Sequence, residues 1–342
     1  MDTIGLDLHK RESQLCMIDS QGEITEKRIV TSRERFTAVL LGRDRCRILL
    51  EASTESEWVA RHLESLGHEV IVADPGFAPM YATRSKKVKT DKRDARTLAE
   101  ACILGAYRVT HRVSAEQRHV RNELAVRDSL VRTRTRYVAF IKAAVRREGL
   151  RLSQGQAGRT ALKVEAIELR EEVLQEIAPI LALLSPLNRE IESADKRLEQ
   201  LGKKDPVVER LMTAPGVGPV TALAFVAALD EVTRFPGAHQ VEAYLGLVPS
   251  EYSSGERQLR GRITKRGNSR MRWLLVEAGW RILRSRRSEC AALRAWAMQI
   301  AARRGKRIAV VALARRLSGI LYAMWRDGTE YRIPNKTLEV AA

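Results

Sequence analysis

Thr3–Leu8 alternates, with Ile4, Leu6 and Leu8 on one face and Gly5 and Asp7 on the other, the period of a half-buried strand. Residues 14–18 (QLCMI) form a second short apolar run, and Gln21-Gly22 marks a turn ahead of a third strand around residues 27–30. Ser32 can cap a helix running through Leu41. The buried run RILLE at 47–51, a helix over 56–66 and the strand EVIVA at 69–73 follow. Three strands in succession, then strand and helix in alternation, predict a mixed sheet with helices packed on it.

The pattern changes over residues 113–202. Val120, Leu124, Val131, Val138, Ile141 and Val145 fall on a partial heptad that Arg127 and Arg134 interrupt. SQGQAG at 153–158 reads as the tip of a helical hairpin. Beyond it Leu187, Ile191, Ala194, Leu198 and Leu201 step by four and three, with Ser185-Pro186 as N-cap and first-turn proline. This predicts a long antiparallel helical arm, although an ordinary helical bundle has the same pattern. Residues 118–151 carry a net charge of +7 and residues 168–200 of −4. The first side could meet phosphate and the second could pair with protein; solvated helix faces would look much the same.

Composition sharpens the functional question. The 342 residues carry a formal charge of +18, with a pI near 10.2, which points to a polyanionic partner, nucleic acid before an anionic membrane. Residues 257–307 concentrate sixteen Lys or Arg against only Glu277 and Glu289. Aromatics are 5% of the chain, which favours phosphate contacts over base stacking, and Trp273, Trp280, Trp296 and Trp325 read as core. Cys16, Cys46, Cys102 and Cys290 form no C-x-x-C pair, so neither a thiolate zinc site of the usual spacing nor a disulfide framework is expected. MDTIGLDLHK lacks the plan of a signal peptide. No uninterrupted apolar run reaches the length of a membrane span, VTALAFVAAL being the nearest, so a soluble, intracellular chain is expected.

Four carboxylates stand out. Asp7 sits inside an apolar strand, where aspartate is depleted. Glu51 ends the run RILL. Asp91 and Asp94, in TDKRDARTLAEA, share a helix face and fall in its first turn if Thr90 is the N-cap. Singly, each has a plainer reading as a strand-end or helix-start charge. Together at one sheet edge they would repel unless cations neutralised them, and hard oxygen ligands select Mg²⁺ or Mn²⁺. Pro215-Gly216-Val217-Gly218-Pro219 is a tight turn opening a helix, so backbone N–H groups there could face phosphate as in a helix-hairpin-helix; a plain helix–helix turn is the alternative. His9 follows the Asp7 strand and could approach the carboxylates, and the other histidines form no ligand-spaced pair.

The order strand Asp, strand-end Glu and helix Asp-x-x-Asp resembles the ribonuclease-H-like fold in its RuvC-like form. IGLDLHK, LLEAST and TDKRDARTLAE, followed by APGVGPVTALAFVAAL and FPGAHQVEAYLGLVPSEYSSGERQLRGRITKRGNSRMRWLL, are similar to the DEDD transposases of the 110/1111 group of insertion sequences, nearly end to end. The resemblance implies a RuvC-like domain at 1–112, a coiled-coil arm at 113–202 and a basic, mainly helical transposase domain at 203–342. It implies Mg²⁺ or Mn²⁺ on Asp7, Glu51, Asp91 and Asp94. It also implies a nucleophilic serine between a Tyr-x pair and a glycine, which falls on Ser254, with Ser253 an adjacent hydroxyl.

Arg257, Arg260, Arg262, Lys265, Arg266 and Arg270, with Gly216 and Gly218, are the expected nucleic-acid contacts. The implied partners are donor and target DNA and an element-encoded structured guide (bridge or seek) RNA, handled by homodimers that pair into tetramers with shared active sites, in the cytoplasm of a bacterium or archaeon, with no membrane. The competing readings are a RuvC-like junction resolvase or nuclease that uses water, an actin-like ATP-binding protein, for which no second phosphate loop is found, and a non-catalytic scaffold.

Overall fold

The computed structural model describes residues 1–82, 90–254 and 257–333, with side chains described outside 253–260. The chain divides into two compact units, Met1–Arg112 and Val113–Ala342.

In the first unit the strands are β1 (Thr3–Leu8), β2 (Glu12–Ile18), β3 (Ile24–Val30), β4 (Arg47–Glu51) and β5 (Glu69–Ala73), with helices α1 (Arg33–Leu40), α2 (Ser56–Ser65) and α3 (Asp91–Leu104). They form one sheet in the order β3-β2-β1-β4-β5. β2 pairs antiparallel with both β1 and β3, whereas β4 joins β1 and β5 joins β4 in parallel. The expected mixed sheet is present, with the third strand starting three residues earlier than the sequence pattern suggests. Ile4, Leu6, Ile48 and Leu50 pack with Phe36, Leu40, Val59 and Leu63 of α1 and α2 on one face. Leu49 and Ala73 meet Leu98, Ala101 and Cys102 of α3 on the other.

Gly5 decides how closely α3 lies on the sheet. A Cβ there would stand 2.0 Å from the Ala95 carbonyl oxygen and 2.3 Å from the Ala99 nitrogen, both backbone atoms that cannot yield alone. Gly5→Ala is therefore expected to destabilise the protein by about 3 kcal/mol and to lift the first turn of α3 away from β1. A urea titration checks it: an alanine variant as stable as the parent would contradict this packing.

The second unit contains two long antiparallel helices, α4 (Ala115–Arg147) and α6 (Glu171–Lys203), and the short α5 (Thr160–Glu165) between them. Arg127 and Arg134, which break the apolar heptad, reach across the helix pair: Arg127 Nε donates to Asp195 Oδ1 at 2.6 Å and Arg134 Nη1 to Asn188 Oδ1 at 3.2 Å. Two expectations are corrected. Ser185-Pro186 does not begin a helix, because α6 starts at Glu171 and both Pro179 and Pro186 lie inside it. The two prolines sit two turns apart on the exposed side, where the carbonyls they leave unbonded can meet water. Nor is SQGQAG the hairpin tip: Asn188 Nδ2 donates to the Gly158 carbonyl midway along α6 at 3.0 Å. The connector folds back, burying Val164 against Val138, Ile141 and Ile177.

The remaining elements are α7 (Pro206–Met212), α8 (Pro219–Leu229), α9 (Ala238–Tyr244), the hairpin β6 (Pro249–Ser254) and β7 (Arg257–Ile263), α10 (Ser269–Arg284), α11 (Ala291–Arg304) and α12 (Lys306–Asp327). Every residue of α8 from Thr221 to Leu229 is buried, so this apolar run is the centre of the core. Val120, Leu124 and Leu198, at the base of the long helices, belong to the same core. α12 contains an 18-residue window of mean hydropathy 1.4, long and apolar enough to cross a membrane although charged residues interrupt its apolar run. Its apolar stripe, from Ala309 through Leu313 and Leu317 to Leu321, is buried, while Arg315 on the same helix donates to Glu242 Oε2 at 2.6 Å. That is the pattern of a helix that packs its apolar stripe into a protein core.

Candidate active site

The carboxylates of the first unit gather at the carboxyl ends of the two central parallel strands. Asp7 and Glu51 each follow the Leu6–Leu50 pair, the last in the register of β1 with β4. Thr90 caps α3, its hydroxyl accepting from the Arg93 N–H at 3.4 Å, which puts Asp91 and Asp94 in the first turn as the sequence predicts. The α3 face of β1 carries Gly5 and Asp7, so the close packing that Gly5 permits brings that first turn to Asp7.

The electrostatics are those of crowded anions. Asp7 is 13% exposed, and its Oδ2 is buried without a hydrogen bond. Its carboxyl is pushed up from 3.8 to about 6, chiefly by burial; His9 opposes the rise, and Asp94, Asp91 and Glu51 add to it. His9 Nε2 lies 3.3 Å from Asp7 Oδ2 and 3.7 Å from Asp91 Oδ1. Ligand atoms of Asp7, His9 and Asp91 all fall within 4.8 Å of one another. Glu51 Oε1 accepts from the Tyr81 hydroxyl at 2.7 Å. Beside the cluster is a cleft of about 180 Å³ lined by His9, Gln14 and Asp91 and by Arg11 and Arg28, cations suited to a phosphate next to the carboxylates.

Sequence reasoning gave Tyr81 no role, because a contact with Glu51 thirty residues away leaves no local signal. Gly5 did leave one, since a glycine inside a strand marks a close backbone approach.

In the second unit, α7 and α8 flank the glycine turn. Gly216 has φ +75° and faces α10, where a Cβ would stand 2.8 Å from the Ala278 carbonyl oxygen; nothing lies within 4 Å of a Cβ at Gly218, the N-cap of α8. Ser254 ends β6 and pairs in register with Arg257, so it sits at the end of a two-stranded hairpin and not in an irregular loop. The side chains of Ser254, Arg257 and Arg260 lie outside the described residues. Tyr252 is 75% exposed, and Arg262, Lys265 and Arg266 are exposed along the return from the hairpin.

The base of the hairpin is clamped. Arg272 Nη1 donates to the carbonyls of Leu245, Arg266 and Gly267 at 3.0, 2.6 and 3.2 Å. Gly246 and Gly267, both at positive φ, let these backbones touch. Arg270, expected to meet nucleic acid directly, pairs with Asp128 of α4 and stacks over Trp273 at 5.3 Å.

Comparison with known proteins covers both units. A profile of the DEDD transposases of the IS110 type matches residues 4–148, and one described as the transposase IS116/IS110/IS902 family matches residues 208–294. A probable family 20 transposase of Pseudomonas aeruginosa is 29% identical over 339 residues, covering 97% of this chain and 99% of its own. The transposase for insertion sequence element IS1111A of Coxiella burnetii is 27% identical over 96% of this chain and 91% of its own. That for element IS1328 of Yersinia enterocolitica is 26% identical over 96% and 98%. With two profiles of one group matched in chain order, and relatives aligned across both units, the chain belongs to the IS110/IS1111 family of insertion-sequence transposases.

Proposed function

We propose that the protein is a site-specific DNA recombinase that moves its insertion sequence by cutting and rejoining strands through Ser254. The observation that supports the reading is the Asp7 carboxylate, whose Oδ2 is buried without a hydrogen bond, with Asp91 close by and the charges of Asp94 and Glu51 acting on it; Asp7, Glu51, Asp91 and Asp94 are the proposed ligand set. Such a set suits a hard divalent cation, Mg²⁺ or Mn²⁺, with His9 beside it as a nitrogen donor. When bound, the cation supplies charge neutralisation and Lewis acidity for phosphodiester chemistry.

Ser254 Oγ forms a bond to phosphorus as the bond from phosphorus to the 3′ oxygen breaks. The serine loses its proton, the departing 3′ oxygen gains one, and the DNA 5′ end is left esterified to the protein. Because the ester replaces a phosphodiester, the reverse attack by a 3′ hydroxyl of another strand rejoins DNA without ATP. Arg262, Lys265 and Arg266 are the described cations nearest Ser254 in the chain and suit phosphate; Arg257 and Arg260 complete the proposed set. Gly218, open at the N-terminus of α8, suits a backbone phosphate contact, whereas Gly216 serves that turn by packing against α10. Target choice is assigned to a structured RNA encoded with the element, paired to donor and target DNA, and the active assembly to a tetramer of this chain.

Purified protein, RNA transcribed from the element's flanks and two DNA duplexes test the reading. Recombinant duplexes should form with Mg²⁺, without ATP and only with the RNA. Cut ends that are never joined would instead favour the water-using nuclease.

A further inference from the structure

A groove of about 600 Å³ runs between the middle of α4 and the start of α10, lined by Asp128, Arg132, Arg136, Ser269, Arg270 and Trp273 among others. The expectation that Trp273 is a core residue fails here, because it is 50% exposed. Arg270 holds one edge of the groove: one amino group pairs with Asp128, while its Nε and Nη2 are buried with no hydrogen-bond partner. Arg132 is 74% exposed and also pairs with Asp128 at 2.9 Å, and Arg136 is exposed one turn further on. Three guanidinium groups against one carboxylate leave the groove positive. Ser269 and Arg270 open α10 and line the groove, so the positive end of that helix lies beside it.

A half-exposed indole beside unsatisfied guanidinium donors on a positive wall is a seat for a planar ring that carries phosphate. We propose that the groove takes an unpaired nucleotide of a nucleic-acid strand, its base on Trp273 and its phosphate on Arg132 and Arg136. A base-paired duplex does not fit, since its bases are stacked on their neighbours. The inference rests on the reading of the chain as a nucleic-acid recombinase, and supplies the stacking contact that its low aromatic content argues against. An RNA loop and an unwound DNA strand share this chemistry.

The test is fluorescence anisotropy with a labelled oligonucleotide of about 15 nucleotides, used as single-stranded RNA, as single-stranded DNA and as a DNA duplex. Trp273→Ala should weaken at least one single strand about 5- to 100-fold, Trp273→Phe should restore most of that loss, and the duplex should be unaffected. Loss confined to RNA identifies an RNA loop as the occupant, and loss confined to DNA an opened DNA strand. Arg132→Ala should lower the salt dependence of single-strand binding by roughly 0.7 of a counterion. An iodouracil-substituted strand should crosslink to Trp273 on irradiation. Unchanged binding of both single strands by Trp273→Ala, or an equal loss for strand and duplex, would overturn the proposal. Strand transfer is measured separately, so a failed recombination assay with Trp273-dependent binding intact would count against the recombinase and not the groove.

Discussion

Asp7→Asn is expected to abolish strand transfer, by about a thousandfold or more, while making the metal-free protein more stable at neutral pH. The two effects have one cause. The Asp7 carboxyl is held at about 6, against 3.8 when exposed, because burial and three neighbouring carboxylates disfavour its charge. Such a group binds a proton more readily folded than unfolded. Its contribution to stability is therefore full below about pH 4 and is lost as pH rises through about 6, by about 1 kcal/mol between pH 5 and pH 7. Asparagine carries no charge to strand, so Asp7→Asn should remove this part of the pH dependence and melt at a higher temperature at pH 7. A divalent cation should reverse the order by satisfying the parent's carboxylates and not the amide, and the several kcal/mol it lends to catalysis is the activity that the variant loses. Thermal melts at two pH values, with and without Mg²⁺, check every part. A parent protein that gains no stability from either acid or Mg²⁺ would contradict the assignment.

Ser254→Ala should be as damaging to strand transfer as Asp7→Asn, at least about a thousandfold, with no change in fold, since the residue ends a two-stranded hairpin whose ladder is made by backbone groups. Ser253→Ala should cost little. Both variants should bind DNA as the parent does. If Ser253→Ala is the inactive one, the nucleophile moves by one residue and the rest of the scheme stands; if both remain active, a water-using nuclease explains the data better.

The parts of the fold legible in the sequence are those governed by local physics. β1 is visible because its apolar side chains alternate, and the start of α3 because Thr90 and Asp91 are good first-turn residues. The turn around Gly216 is visible because only glycine sits easily at φ +75°. What escaped depends on distant partners or on exposed backbone. β6 and β7 carry no apolar alternation, since the hairpin is held by its own ladder and by Arg272 at its base. Pro186 looked like a helix start because the first turn is its favoured place, yet the exposed side of a long packed helix tolerates it. Arg127 and Arg134 looked like breaks in a seam and are its cross-links. In the site, the first-turn places of Asp91 and Asp94 and the approach of His9 to Asp7 are legible in the sequence, whereas Tyr81 on Glu51 and the clamp under the hairpin exist only once the chain has folded.

The most direct measurement is on the protein–DNA linkage itself. A cleavage reaction on DNA with a strand break that prevents rejoining is quenched in denaturant, digested with protease and nuclease, and the nucleotide-bearing peptide is sequenced by mass spectrometry. The account predicts one modified peptide, with a nucleotide joined through its 5′ phosphate to Ser254 and a free 3′ hydroxyl on the upstream fragment of the same cut strand. Efficient cutting with no covalent peptide, or a linkage to a residue outside Ser253 and Ser254, would contradict it.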